Sequence, residues 1–248
     1  MSRTTPPPPM WLAIDTATEI GSVAVGGGPP ERVVGARSMR GARQHAAQIL
    51  PLIQEVLENS GVQLAQISGL VVGDGPGSFT GLRISWAVAK GLAQERELPL
   101  VAVPSLLGAA HAAAAGQAGP IVACFDALRG QVFAAIYKFF PARVETVVAP
   151  GLFEVRELVQ IAPSPDRPLL AVGDGAQRYT AEILDWTGRL PVGLDTVPPI
   201  AASLLTLSAL ETARRTLDAA SEPIYGRPAE AQVKWEARHG RPLPHSTR

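Results

Sequence analysis

The chain has 248 residues and a formal net charge of zero, with 46% hydrophobic and 18% charged residues. That is enough apolar material to build a buried core in one or two domains, and too much for a disordered chain. Zero net charge argues against a protein that holds nucleic acid mainly by its own charge, since phosphate contacts need clustered Lys and Arg. Contact with a nucleic acid as one subunit of a complex stays open. The single cysteine, Cys124, excludes an intramolecular disulfide and a Cys-based metal site. It points to a reducing compartment. In Ile121-Val122-Ala123-Cys124-Phe125 it reads as a small buried hydrophobe.

In chain order, residues 1–10 are polar and then proline-rich, a polyproline tail without the apolar core of a signal peptide. No run of about 18 apolar residues follows, so no membrane span is expected, and the chain reads as cytoplasmic. Trp11-Leu12-Ala13-Ile14 forms a short strand ending at Asp15. Gly21–Val25 is its hairpin partner, and Glu31–Ser38 returns as a third strand after a Gly/Pro turn. Arg43–Ser60 is the clearest helix, stopped by Gly61. Its apolar residues, among them Ala46, Ile49, Ile53, Val56 and Leu57, fall in an arc of roughly 160°. Ser68–Gly73 is a strand, followed by a Gly-rich loop, a helix over Thr80–Glu95, and a strand at Leu100–Val103. Pro104 sits in the first turn of a helix that runs through Ala115. This is an α/β crossover pattern.

A second unit begins after Gly119-Pro120. Val122–Val132 repeats the plan of Leu12–Val23: apolar strand, Asp, short turn with Gly, returning strand. That is the trace of a duplicated domain. A helix near Glu154–Ile161, a strand at Leu169–Val172 and a long Ala/Leu helix over Ile200–Ala219 follow. The domain plan is therefore a tail at 1–10, a first unit at 11–118, a second at 119–233 and a polar tail at 234–248.

Two places could carry phosphate chemistry. In the loop Gly75–Gly81, three glycines allow close backbone approach, and Ser78, Thr80 and the amides of the helix start would suit an anion. Thr80 is expected to cap the helix. The loop lacks the Gly-Lys-Ser/Thr of a Walker A, and Thr80 replaces the third Gly of a dinucleotide fingerprint. A tight structural turn is the competing reading. Asp15, Thr16 and Thr18, at the end of the first strand, could hold a phosphate or its magnesium ion. Equally, Asp15 could accept turn amides. No metal site is expected: four residues after His45 stands Ile49, so a His-x-x-x-His pair is missing. Nor does any base accompany Ser78 as a nucleophile, so no catalytic set is expected. On the second helix, Ala87 and Gly91 are small residues four apart, beside an apolar row of Ile84, Val88 and Leu92, which would admit a neighbouring helix.

Several segments together resemble the TsaB family, also known as YeaZ. They are Ile14-Asp15-Thr16-Ala17-Thr18, Gln44-His45 through Leu50-Pro51-Leu52-Ile53, Gly75-Pro76-Gly77-Ser78-Phe79-Thr80-Gly81-Leu82-Arg83-Ile84, Val103-Pro104-Ser105-Leu106, Phe125–Val132 and Glu222-Pro223-Ile224-Tyr225-Gly226-Arg227. The resemblance implies two duplicated actin-like, Hsp70-like ATPase (ribonuclease H-like) subdomains, α/β with mixed sheets flanked by helices. It implies a noncatalytic subunit acting with the transferase TsaD and the ATPase TsaE. These add a threonylcarbamoyl group to N6 of the adenosine next to the anticodon of tRNA. It also implies a homodimer when alone, contact with tRNA only within the complex, and ATP or ADP bound, if at all, within the complex. Pairing through the first two helices would place Ile49, Ile53, Val56, Leu57, Ile84, Ala87, Val88 and Gly91 at a partner interface. Against this stand an actin-like kinase or ATPase using Asp15, Thr16 and Thr18, and a metallopeptidase, which the missing second His disfavours.

Overall fold

The structure is a computed structural model and describes residues 9–27, 33–41, 44–116, 119–141, 143–162, 167–227, 235 and 238–240. The proline-rich residues 1–8, the Gly/Pro turn at 28–32 and all but four residues of the 234–248 tail lie outside the described residues.

Two mixed sheets share one strand plan. In the first unit, β1 (Met10–Asp15), β2 (Ile20–Gly27) and β3 (Val33–Arg40) form an antiparallel meander. Helix α1 (His45–Asn59) crosses over to β4 (Ile67–Gly73), which lies parallel to β1. Helix α2 (Phe79–Arg96) then leads to β5 (Leu100–Val103), parallel to β4, and α3 (Ser105–Ala114) closes the unit. Pro104 stands at the N-cap of α3, one place earlier than expected. The second unit repeats the plan. β6 (Pro120–Asp126), β7 (Gln131–Phe140) and β8 (Arg143–Glu154) form the meander, α4 (Val155–Ile161) crosses over, and β9 (Leu170–Val172) pairs parallel with β6. The sheet orders make the duplication explicit: β3-β2-β1-β4 in one sheet matches β8-β7-β6-β9 in the other. The echo between Asp15 and Asp126 is thus structural, because each ends the central strand of its sheet.

Beyond β9 come α5 (Asp174–Arg178), α6 (Thr180–Thr187) and α7 (Ile200–Leu207). The long helix expected over Ile200–Ala219 ends at Leu207. A 3-10 turn at Glu211–Ala213 and a two-residue strand, β10 (Arg215–Thr216), replace its second half. The Ala/Leu composition favours a helix. The open edge of β5 instead takes Arg215 and Thr216 into antiparallel pairing with Ala102 and Val101, and tertiary pairing overrides weak local propensity. The second unit of the sequence plan therefore contributes to both sheets, since β10 joins the first.

The apolar residues sort into layers because central strands are buried on both faces. Leu12 and Ile14 of β1 face α1 and α2 on the outside of the first sheet, whereas Ala13 faces inward. Cys124 and Ile136 face α4 and α6 outside the second sheet. Between the sheets lie α3 and α7, in a core that joins Ala13 and Val71 to Phe125, Phe133 and Tyr137. With few aromatics, this middle layer is built from alanines such as Ala109, Ala110 and Ala113, and from Leu106 and Leu204. A Cβ on Gly108 would press on the side chains of Leu204 and Ile200, so these α7 side chains seat directly on the α3 backbone there. Because Leu106 is fully buried in the core shared by both sheets, Leu106→Ala is expected to cost about 2–5 kcal/mol. Urea unfolding should show that loss in one transition monitored at both sheets.

Candidate functional site

The site suggested by the sequence lies where β1, β4 and β5 end. Asp15 is fully buried. Its Oδ1 accepts the amide of Ala17 at 3.1 Å and its Oδ2 accepts the hydroxyl of Ser105 at 2.6 Å. The Ser105 hydroxyl in turn accepts the amide of Gly75 at 3.2 Å, and the Ser105 amide donates to the Gly75 carbonyl at 3.0 Å. Burial raises the Asp15 pKa above the ordinary carboxylate value, while the Ser105 and Ala17 bonds pull it down. Thr16 donates its hydroxyl to the Gly81 carbonyl at 2.6 Å. Thr18, nearly buried, bonds to the backbone of Ile20.

The glycines make this contact dense. A Cβ on Gly73 would overlap the Asp15 carboxylate, one on Gly77 the Ala17 carbonyl, and one on Gly81 the Thr16 carbonyl. The Gly-rich loop is pressed onto the Asp15–Thr18 turn, and the Ser78 amide donates to Ala17 O at 2.7 Å. Ser78, not Thr80, caps α2: the helix starts one residue early, at Phe79, and the Ser78 hydroxyl accepts the Gly81 amide at 3.2 Å. Thr80 is exposed in the first turn. The side chains of Asp15, Thr16 and Thr18 thus tie the chain to itself, and in this conformation they do not fit a phosphate between turn and loop. Beside the loop, Asp74 is buried and paired with Arg215, whose Nη2 and Nε donate at 2.7 and 3.1 Å. Sequence reasoning passed over this pair. Arg215 fell in the expected helix, so nothing in the spacing pointed to it.

The expected partner residues divide in two. Ile49, Ile53, Val56 and Leu57 point into the core beneath α1, none more than 7% exposed. Ile84 and Val88 are half-buried against the same core. Ala87 and Gly91 are exposed, and the space above Gly91 is open. On α1 the outward apolar residue is Leu50, 57% exposed, with exposed Ala46 and Ala47 a turn before it. The amphipathic arc identified burial but could not say against what. The wide apolar arc is satisfied by the chain's own sheet, and the free face lies at its rim.

The remaining sequence candidates are structural in this conformation. His45 is buried, its Nε2 lies 3.2 Å from Glu19 O, and burial lowers its pKa. His111 Nδ1 lies 3.1 Å from the Ser203 hydroxyl. Cys124 has no exposed surface, and burial pushes its thiol up to about 12. Among the described residues no three of His, Cys, Asp or Glu converge, and no helix is long and apolar enough to cross a membrane.

Two sheets of the same strand plan, helices on their outer faces and two helices between them, define a duplicated actin-like fold. A sequence profile of the family described as "TsaD: tRNA N6-adenosine threonylcarbamoyltransferase" matches residues 37–184. The tRNA threonylcarbamoyladenosine biosynthesis protein TsaB of Haemophilus influenzae is 33% identical over 245 residues, covering 93% of this chain and 97% of its own. The Escherichia coli protein of that name is 42% identical over 128 residues, a match that spans 51% of this chain and 54% of that protein. The solved structure of YeaZ from Pseudomonas aeruginosa is 27% identical and superposes with a TM-score of 0.68, over 87% of this chain and 99% of that one. The chain belongs to the TsaB (YeaZ) family of tRNA threonylcarbamoyladenosine biosynthesis proteins.

Two outcomes follow from the packed loop. Gly81→Ala should destabilise by at least about 1–3 kcal/mol, because the new methyl meets backbone that cannot yield; thermal unfolding measures it. The raised Asp15 pKa sets a sign for pH dependence. The folded state holds the proton more tightly than the unfolded chain. Stability is therefore lost as pH rises from the unfolded carboxylate value through the folded one. Asp15→Asn should remove that decline, seen as a flatter stability profile from about pH 4 upward in paired urea titrations.

Proposed function

We propose that the chain is a noncatalytic subunit that pairs with a TsaD-type transferase. Acting with TsaE, it supports transfer of a threonylcarbamoyl group to N6 of the adenosine next to the anticodon. The observation that carries this reading is the set of small or apolar residues left exposed on α1 and α2: Leu50 on one helix, Ala87 and Gly91 on the other, open to approach by another helix. Small residues four apart let two helix backbones come close, and the exposed leucine on α1 supplies apolar area. The same face would serve a homodimer of the isolated chain. With zero net charge, tRNA contact belongs to the assembled complex.

The closed turn around Asp15 supports the noncatalytic half of the proposal. Both carboxylate oxygens and the Thr16 hydroxyl are engaged within the chain. A kinase or ATPase reading would need them free to meet phosphate or magnesium. Any nucleotide used by the complex is assigned to the other subunits.

Leu50→Asp and Ala87→Arg should abolish co-elution with a TsaD partner while circular dichroism stays that of the parent. Co-elution of either folded variant at parental level would sink the pairing face. Ile53→Asp is unsuited to this test, because Ile53 is 5% exposed in the chain's own core and its loss would unfold the protein. Titration calorimetry of the isolated chain with ATP and magnesium should give only heats of dilution. Saturable micromolar binding would return the kinase or ATPase reading.

A further inference from the structure

Beyond β10 the chain turns back across the first unit as a strap, residues 217–227, held along one side of α2. Lys90 Nζ donates to the carbonyls of Ala219 and Ser221 at 2.9 and 2.5 Å. The Arg215 guanidinium lies 5.5 Å from the centre of the Trp86 ring, and its Nη2 donates to Glu222 O at 2.9 Å. Arg83 Nε donates to the Tyr225 hydroxyl at 3.3 Å, and the Phe79 and Tyr225 rings stand 4.6 Å apart. Phe79, Arg83, Trp86 and Lys90 follow one another by four, three and four residues. They therefore fall within an arc of roughly 60° on the helix.

The strap is also fastened at both flanks of that stripe. The Ile224 amide donates to Asp74 O at 2.9 Å, and a Cβ on Gly75 would meet the Ile224 carbonyl, so the strap lies directly on the Gly-rich loop. At its end, Arg227 Nη1 donates to Ala127 O at 2.7 Å in the turn between β6 and β7, and its guanidinium lies 5.7 Å from the Phe133 ring centre. A Cβ on Gly226 would meet both Phe133 and Pro76. The strap thus runs from the edge of the first sheet, over the start of α2, to the hairpin of the second unit.

Around α2 the contacts divide three ways. Leu82, Trp86, Ala89 and Ala93 are buried, and Phe79, Arg83 and Lys90 meet the strap. Ala87 and Gly91 lie on the free face beside the strap stripe. We propose that the strap is a positioning element: residues 217–227 fix the pose of α2, and through it the free face, without themselves lying on that face. The tilted Phe79–Tyr225 ring pair, the Arg83–Tyr225 bond and the Lys90 bonds to strap carbonyls act together along more than two turns, so loosening them frees the outer side of the helix. The link to pairing rests on the reading under Proposed function; the restraint on α2 does not.

The test uses the full chain carrying Tyr225→Ala or Lys90→Ala, which release the strap at opposite ends of the stripe. Hydrogen exchange of the isolated protein should speed up by about tenfold or more in α2 amides, while β1 and β6 exchange as in the parent. Tyr225→Phe keeps the ring on Phe79 and should restore most of the protection. Binding to the TsaD partner should weaken by about tenfold in both alanine variants and recover in Tyr225→Phe. Unchanged α2 exchange in both variants overturns the proposal. Faster exchange with parental affinity overturns its link to the face. Leu50→Asp separates the two readings: it should lose pairing with α2 protection intact, and if it pairs normally, the pairing reading fails while exchange still decides the strap.

Discussion

Asp15 holds the first unit together at the point where three strands end. Its carboxylate is fully buried, and each oxygen has a partner from a different segment: Ala17 in its own turn and Ser105 at the start of α3. Ser105 passes the connection to Gly75, in the loop that follows β4. A buried carboxyl is costly unless it is hydrogen-bonded, and once bonded it fixes the pieces that bond it. Gly73, Gly77 and Gly81 then have to be glycines, because the turn they press against leaves no volume for a methyl group. The start of α2 is set by this contact, and with it everything that α2 carries.

The same contact makes the Gly-rich loop a joint between the Asp15 turn and α2. Glycines, hydroxyls and a helix start suit an anion only if a cavity lies in front of them. Here the cavity is filled by the chain's own turn. Thr16 donates to Gly81, and the Ser78 amide reaches Ala17. In the second unit the matching residue, Asp126, stands in a more open setting. Its Oδ1 accepts the Leu128 amide at 2.9 Å and its Oδ2 accepts Arg178 at 2.9 Å. The duplication keeps the strand plan and the Asp at the strand end, while the partners of that Asp have diverged.

Much of the fold was legible because its signals are local. The β1–β2 hairpin, α1 and the return of the plan at Val122 follow from apolar patterning and glycine punctuation. What escaped depended on residues far apart in sequence. Arg215 reads as part of an Ala/Leu helix until the free edge of β5 is known. The strap that follows it has no periodicity to announce it. The N-cap moved from Thr80 to Ser78 because the loop had to reach Ala17, a constraint set 61 residues away. Likewise the arc of Ile49, Ile53, Val56 and Leu57 marked burial correctly but not its cause, since periodicity does not distinguish a sheet from a partner.

Helix α2 shows why these features belong together. An 18-residue helix has room for more than one neighbour, and here three demands are met on separate sides. The core takes Leu82, Trp86, Ala89 and Ala93, while the strap takes Phe79, Arg83 and Lys90. Ala87 and Gly91 remain open. Trp86 ties the core side of the helix to β4 and β10: its indole nitrogen donates to Gly73 O at 3.0 Å, while Arg215 and Lys90 lie at 5.5 and 5.6 Å from its ring centre. A helix restrained on two sides presents its third as a fixed surface, so a partner that docks there need not order it first, which lowers the entropy cost of association. The Gly-rich loop, identified first by its glycines, thus acts through what it anchors: it sets where α2 begins, and the strap laid across it sets how firmly α2 is held.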